Sequence, residues 1–137
     1  MIEFDRGTKA LVTGGAGFIG SHLCERLVKL GISVVCFDDL SSGKMEYISA
    51  LLSRPNFEFV RGDLMDPTDF REVPRNVDMI FHLAAKVGVR RYVEDPIDVM
   101  RTNIHGTENL LEFAMKRNVK RFVLASTSEV YGKNPSA

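Results

Sequence analysis

Residues 13–20 read TGGAGFIG, and three glycines in this stretch are spaced as in a nucleotide-binding turn: Gly14, Gly17 and Gly20. A short apolar segment, 10–12, precedes the stretch, and apolar residues recur with the period of a helix from Phe18 onward. A glycine-rich turn between a strand and a helix lets the backbone approach a pyrophosphate at the amino end of that helix. The stretch therefore predicts a dinucleotide-binding turn, the alternative being a glycine-rich turn without a ligand.

An acidic residue ends the next apolar segment. Asp38 follows segment 33–37, roughly 20 residues after the glycine turn, as in dinucleotide-binding folds. A carboxylate there accepts hydrogen bonds from an adenosine ribose and repels a 2′-phosphate, and Asp39 adds to that repulsion. Lys44 is the nearby cation, and it either contacts the ligand or is a solvated loop residue. The pattern favours NAD over NADP, and S-adenosylmethionine suits the glycine spacing less well.

Apolar segments and helical repeats alternate along the whole chain. This alternation predicts right-handed βαβ units and a doubly wound parallel sheet of the Rossmann type, in one domain over residues 1–137. The predicted strand order is 3-2-1-4-5. The predicted strands are 10–12, 33–37, 57–60, 77–83 and 121–125. The predicted helices begin at Phe18, near Met45, at Asp66-Pro67 and at Asp95-Pro96, the last extending to about Asn118.

Composition narrows the class of protein further. The 137 residues are 45% hydrophobic and carry 18 basic and 18 acidic side chains, a balance that argues against nucleic-acid binding. No segment is apolar enough to predict a membrane span or a signal peptide. Cys24 and Cys36 lack the spacing of metal ligands, so we expect buried, reduced thiols, no metal site and a cytoplasmic protein.

The TGGAGFIG stretch resembles the cofactor motif of the extended short-chain dehydrogenase/reductase family, the NAD-dependent epimerase/dehydratase group. The resemblance extends over residues 9–132, because four further motifs follow in the family's order. They are DDLSSG at 38–43, GDL at 62–64, HLAA at 82–85, and Thr102-Asn103 with Gly106-Thr107.

This resemblance implies a set of NAD-binding residues along the chain. They are Gly14, Gly17, Phe18, Ile19 and Gly20 of the turn; Asp38, Asp39, Ser42 and Gly43 of the ribose loop; Asp63 and Leu64 at the adenine; Leu83, Ala84, Ala85 and Lys86 after the fourth strand; and Asn103 of the long helix. Simpler interpretations remain for some positions. Asp63 could cap the turn after it, Lys86 could be an exposed lysine, and His82 fits a hydrogen-bonded core histidine better than a catalytic base.

The segment STSEVYG at 126–132 resembles the family's catalytic strand end. By that match, Thr127 supplies the hydroxyl that binds the sugar oxygen undergoing oxidation, or else belongs to a cluster of hydroxyls capping the strand. Glu129 is typical of the dehydratase and uronate decarboxylase branches, but Ser128 stands where dehydratases carry aspartate. The segment LAAKVGVR at 83–90 is more similar to 4-epimerases, so we favour epimerase over decarboxylase.

The family's proton-transfer pair, Tyr-x-x-x-Lys, falls beyond Thr127 by the same match. None of Tyr47, Tyr92 and Tyr131 has a lysine four positions on. We therefore expect the NAD-binding portion of a nucleotide-sugar 4-epimerase, without turnover by itself. The alternatives are part of a uronate decarboxylase or sugar dehydratase and, from another class, a non-catalytic dinucleotide-binding or assembly module. The helix from Pro96 matches one the family uses for dimer packing, which implies a homodimer or other self-association.

Overall fold

The computed structural model describes residues 7–132, which form one parallel sheet of five strands in the order β3-β2-β1-β4-β5. The strands are β1 (Lys9–Thr13), β2 (Ser33–Asp38), β3 (Phe57–Arg61), β4 (Met79–His82) and β5 (Arg121–Leu124). Neighbouring strands pair in parallel throughout, so all five carboxyl ends lie at one edge of the sheet. The predicted fold class and strand order are confirmed.

Four α-helices accompany the strands in the described part of the chain. They are α1 (Phe18–Lys29), α2 (Met45–Ile48), α3 (Val89–Glu94) and α4 (Pro96–Lys116). Short 3₁₀ turns cover Ser49–Leu51, Asp69–Glu72 and Ser128–Tyr131. No helix between residues 7 and 132 is long and apolar enough to cross a membrane.

The long helix begins where the sequence predicted. Asp95 is the residue before α4, its carboxylate accepts a hydrogen bond from the Asp98 amide, and Pro96 occupies the first turn. The helix ends at Lys116, and Asn118 then adopts a left-handed backbone with a φ of 54°. The capping aspartate and the proline after it therefore mark the start of α4.

The other aspartate-proline pair, Asp66-Pro67, does not begin an α-helix, so the prediction of a helix there is wrong. The Asp66 carboxylate accepts a hydrogen bond from the Thr68 amide at 2.9 Å, and the backbone continues into the 3₁₀ turn Asp69–Glu72. Val73 then returns to an extended conformation and is buried. The same capping chemistry closes only a turn here, since the chain has to reach β4 within a few residues.

Side chains alternate between the two faces of the sheet and form one core on each. On one face, Val12 and Cys36 pack with Cys24 and Leu27 of α1. The other face holds Leu11, Val35 and Ile80 against α4, with Phe37, Phe70 and Phe113 joined ring to ring at centroid distances of 5.4 and 5.1 Å. Because both faces are covered, the central strands are apolar along nearly their whole length.

Candidate dinucleotide site

The glycine turn lies at the carboxyl end of β1 and is packed on two sides by backbone. Gly14 has a φ of 68°, and a Cβ there would lie 2.8 Å from the backbone nitrogen of Ala84. At Gly20 a Cβ would overlap the Gly14 carbonyl and lie 2.7 Å from the Gly15 Cα. Gly17 donates its amide hydrogen to the Gly14 oxygen at 3.0 Å. Two of the three glycines are therefore required by contacts of the fold itself.

The amino end of α1 is open to a ligand. Gly17 precedes the helix and provides no side-chain cap, and the first turn contains no acidic residue. Phe18 and Ile19 are 74% and 69% exposed, although both are apolar. The first amides of a helix lack intrahelical partners and carry the positive end of its dipole, so this end can accept an anion.

Asp38 ends β2 and joins the glycine turn to the loop that follows β2. One carboxylate oxygen accepts a hydrogen bond from the Ala16 amide at 2.9 Å, and the other accepts one from the Leu40 amide at 2.9 Å. Burial raises the pKa of this carboxyl, while the two amides act in the opposite direction. Each oxygen still has a lone pair free of these amide bonds, so Asp38 can accept further hydrogen bonds from a ribose.

The loop after β2 folds back onto the turn. A Cβ on Gly43 would lie 2.7 Å from the Asp38 Oδ1, and the Lys44 amide donates to the Ala16 oxygen at 2.9 Å. Asp39 accepts a hydrogen bond from the Ser41 amide at 2.8 Å. The loop therefore forms a backbone-rich wall beside Asp38.

Two cations lie at this loop, and the sequence predicted only Lys44 to lie here. The Lys44 ammonium lies 5.8 Å from the centroid of the Tyr47 ring. Arg91 of α3 reaches across from the other side of β1 and donates from Nη1 to the Ser42 Oγ at 2.9 Å. Arg91 and Ser42 are 49 positions apart in the sequence, and α3 is too short for a helical repeat to predict that helix.

The loop after β4 is held against both the turn and α4. Leu83 donates its amide hydrogen to the Thr13 carbonyl at 3.2 Å, and Ala84 follows beside Gly14. The Lys86 backbone exchanges two hydrogen bonds with the Asn103 amide group, at 2.8 and 3.0 Å. Asn103 thus positions this loop, while Ala85 is exposed between the two anchored segments.

The Lys86 side chain is neither free nor directed at the turn. Its ammonium pairs with the Asp98 carboxylate of α4 at 2.6 Å. A partly exposed pair of this kind contributes little to stability. Lys86 is therefore half-buried and paired within the protein, and its contact with the cofactor stays a prediction.

His82 is buried at the end of β4 and bonded through both ring nitrogens. Thr107 donates its hydroxyl proton to the Asn103 carbonyl at 2.7 Å, so its oxygen accepts from the His82 Nε2 at 2.9 Å. A neutral imidazole has one N–H, and Nδ1 accordingly accepts from the Thr13 hydroxyl at 2.7 Å. Burial lowers the pKa of His82 to about 4. This geometry agrees with a neutral core histidine.

Asp63 and Leu64 follow β3 and are occupied by local contacts. The Asp63 carboxylate accepts a hydrogen bond from the Met65 amide at 2.8 Å, and its own amide donates to Asp69 at 2.8 Å. Leu64 is buried, and Gly106 of α4 packs on it so closely that a Cβ would lie 3.1 Å from the Leu64 Cβ. Asp63 thus caps a turn, while its second carboxylate oxygen can still face a ligand.

The segment after β5 lies at the same edge of the sheet, two strands from the glycine turn. Thr127 is exposed, and its carbonyl accepts a hydrogen bond from the Val130 amide at 3.3 Å. The side chain of Glu129 lies outside the described part of the chain. The structure therefore places Thr127 at the edge of the sheet where the turn lies, and it leaves the predicted role of Glu129 without a geometry.

The two cysteines lie beneath the turn, buried and without a disulfide. Cys24 donates to the Gly15 carbonyl at 3.9 Å, and the side chain of Cys36 fills the space below Gly15. The hydrogen bond with Cys24, followed by burial, raises the pKa of the Cys36 thiol. In residues 7–132 no group of three His, Cys, Asp or Glu side chains is placed to hold a metal ion.

A dinucleotide-binding α/β protein is the class that this sheet, turn and acid define. Residues 10–137 match the model of the NAD dependent epimerase/dehydratase family. The chain belongs to this family, whose cofactor is NAD.

Relatives and solved structures of the family are similar over nearly the whole chain. UDP-glucuronic acid decarboxylase 2 of Arabidopsis thaliana is 42% identical over 93% of this chain and 27% of that protein. UDP-glucose 4-epimerase of Mycolicibacterium smegmatis is 40% identical over 93% of this chain and 42% of that protein. The structure of Thermus thermophilus UDP-glucose 4-epimerase in complex with NAD superposes with a TM-score of 0.76, at 39% identity, over 88% of this chain and 38% of that one.

The chain thus spans less than half the length of the relatives it matches. The matching part contains the glycine turn, Asp38 and the segment after β5.

Proposed function

We propose that residues 1–137 form a single NAD-binding unit, the cofactor-binding portion of a nucleotide-sugar 4-epimerase. The observation that carries this proposal is the position of Asp38, whose carboxylate is bonded to the Ala16 amide inside the glycine turn. Asp38 thereby connects the proposed binding site for the adenosine ribose to the proposed binding site for the pyrophosphate. Membership of the NAD-dependent family supports the same cofactor.

We assign the diphosphate to the backbone of the glycine turn and to the open amino end of α1. The exposed Phe18 and Ile19 provide apolar surface beside it. Asp38, with Asp39, Ser42 and Gly43, forms the adenosine ribose site, and Asp63 and Leu64 form the adenine side. The loop 83–86, held by Asn103, closes the site next to Gly14.

The reaction proposed for the full activity is inversion at C4 of a nucleotide sugar through a 4-keto intermediate. Bound NAD supplies the hydride acceptor and donor for that carbon. The Thr127 hydroxyl, at the carboxyl edge of the sheet, would hydrogen-bond the sugar oxygen, and Glu129 would assist on the keto form. Because these 137 residues contain no Tyr-x-x-x-Lys pair to transfer the proton, they are not expected to turn over substrate alone.

Decarboxylation of a UDP-uronate is the second candidate. The 42% identity to a plant UDP-glucuronic acid decarboxylase favours it, as does the STSEVYG segment with Glu129. The 40% identity to a 4-epimerase is nearly the same, so the segment LAAKVGVR decides our preference for epimerisation.

We also propose that the chain self-associates through α4. An apolar stripe of this helix is exposed to solvent, although the opposite side is buried against the sheet. A cytoplasmic location stays a prediction, supported by two buried cysteines that form no disulfide.

A calorimetric titration of the chain with NAD and NADP tests the proposed cofactor. We expect saturable NAD binding, weaker NADP binding because of Asp38 and Asp39, and about 10- to 100-fold weaker NAD binding after Asp38→Ala, since a hydrogen bond to a charged group is lost. Asp66→Ala is the matched control, because Asp66 also caps a turn but lies outside the proposed site. A folded wild-type protein that binds no NAD, or an Asp38→Ala variant that binds as well as Asp66→Ala, would contradict the proposal.

A further inference from the structure

Arg91 connects two loops that lie on opposite sides of β1. The loop containing Ser42 follows β2, whereas α3 follows β4, and β1 with its glycine turn lies between those two strands. The hydrogen bond from the Arg91 Nη1 to the Ser42 Oγ, at 2.9 Å, therefore crosses the crevice at the carboxyl edge. In open α/β sheets this crevice, where the strand order reverses, is where ligands bind.

The other basic side chains near the crevice have acidic or aromatic neighbours. Lys86 pairs with Asp98, and Lys44 lies over Tyr47. Arg90, the neighbour of Arg91 on α3, pairs with Glu94 of the same helix at 2.7 Å. Arg91 instead has a serine hydroxyl as the partner of its Nη1, and a hydroxyl does not neutralise its charge.

The chemistry of a guanidinium suits this position. It has five N–H donors in a planar fork that matches a phosphate group, and the Ser42 hydroxyl takes one of them. Arg91 is exposed, so its remaining donors can reach a ligand. The turn below it contributes only backbone amides, which bind a phosphate without neutralising it.

We propose that Arg91 is a phosphate-binding residue of the cofactor site, and that its guanidinium and the Ser42 hydroxyl clasp the diphosphate of the bound dinucleotide over the glycine turn. This inference rests on the proposed NAD-binding function and adds to it a residue that the sequence motifs do not include. It predicts that Arg91 affects ligands in proportion to their phosphate content.

The test compares ADP, which has a diphosphate, with adenosine, which has none. Both are titrated into the ¹⁵N-labelled chain, with binding followed by chemical-shift changes, for wild type, Arg91→Ala, Arg91→Lys and Arg90→Ala. Arg90→Ala is the matched control, because it removes the same side chain from the same helix. Thermal unfolding of each variant verifies the fold.

We expect Arg91→Ala to weaken ADP binding by about tenfold or more, since a charge-assisted hydrogen bond is lost. Adenosine binding should stay within twofold of wild type, Arg91→Lys should be intermediate, and Arg90→Ala should bind ADP as wild type does. The loss in Arg91→Ala should also shrink as salt concentration rises.

Three results would overturn the inference. Equal ADP affinity in Arg91→Ala and Arg90→Ala would show that the guanidinium does not bind phosphate. Equal weakening of ADP and adenosine in Arg91→Ala would show that Arg91 only holds the ribose loop in place. A folded wild-type chain that binds neither NAD nor ADP would remove the proposed function and this inference together, whereas the first two results would leave NAD binding intact.

Discussion

Gly20 illustrates how backbone contacts restrict a single residue of the turn. Its Cα faces the Gly14 carbonyl and the Gly15 Cα so closely that no side-chain atom fits between them. Gly20 lies within α1 and does not have a positive φ, so its backbone conformation is open to other residues. What excludes a side chain at this position is the lack of space. Gly14 combines both causes, a positive φ and the Ala84 backbone close by.

Gly20→Ala should therefore destabilise the protein by about 1–3 kcal/mol and weaken NAD binding, because the turn has to move away from α1. Urea unfolding and the NAD titration measure the two effects. Gly17→Ala is the comparison, since a Cβ at Gly17 would meet the Gly14 oxygen at the milder distance of 3.1 Å. Equal stability of the two variants would refute the assignment of Gly20 to close packing.

For single residues, the sequence predicted some positions in the site and not others. Asp38 could be placed beside the turn from its distance along the chain and from the strand before it, because both signals are local. Arg91 could not, since its partner Ser42 becomes a neighbour only when β2 and β4 flank β1. Likewise, the ion pair of Lys86 with Asp98 depends on how the loop after β4 meets α4.

Three elements meet at His82. A chain of hydrogen bonds leads from the Thr13 hydroxyl of β1 through the His82 ring of β4 to Thr107 of α4. It continues to the Asn103 carbonyl, and the Asn103 side chain holds the Lys86 backbone. Protonation of the ring would place a second N–H against Thr13 and a charge in the core, so this joint requires a neutral histidine.

Stability should consequently depend on pH through His82. Its pKa is lowered from 6.5 to about 4 in the folded protein, so the unfolded chain binds more protons between these values. The contribution of the neutral His82 to the free energy of unfolding is complete above pH 6.5. It is lost as pH falls towards 4, which lowers the free energy of unfolding by up to about 3 kcal/mol.

Urea unfolding between about pH 4 and 7 measures this dependence, with His82→Gln as the variant that cannot titrate. The difference between wild type and His82→Gln isolates His82 from the carboxyl groups, which titrate in the same range. His105→Gln serves as the control, because His105 is exposed on α4 and pairs with Glu108. A His82→Gln profile parallel to that of wild type would rule out His82 as the source.

The elements themselves were predicted where their signals were long or strongly capped. α4 carries both a capping aspartate and a long apolar repeat, and the strands are nearly continuous apolar runs. α3 has only six residues, too few to display a period, and Asp66-Pro67 imitates a helix start in a segment that forms only a turn.

For the molecule as a whole, one long helix and one edge strand both expose apolar side chains. The exposed stripe of α4 comprises Ile97, Met100, Ile104, Leu111 and Met115. β5 lies at the edge of the sheet formed by residues 7–132, and its Val123 and Leu124 are 43% and 55% exposed. Exposed apolar stripes and unpaired strand edges both favour association.

We expect the chain to form a dimer whose mass is halved by Ile104→Glu, since the charge would be buried at the centre of the stripe. Light scattering over a range of concentrations measures the mass. Arg26→Glu on α1 is the control, because that helix covers the opposite face of the sheet and the residue is exposed. If wild type is monomeric at high concentration, or if Ile104→Glu leaves a dimer intact, association through α4 is wrong.

Local signals in the amino-acid sequence account for the order of strands and helices, the glycine turn and the placement of Asp38 at the carboxyl edge. These signals are apolar periodicity, capping residues and backbone freedom, which act between residues close together in the chain. The assembled fold was needed to establish that Arg91 reaches Ser42, that Lys86 pairs with Asp98 and that His82 is neutral. Each depends on contacts between distant segments, which exist only once the strands have assembled in the order β3-β2-β1-β4-β5.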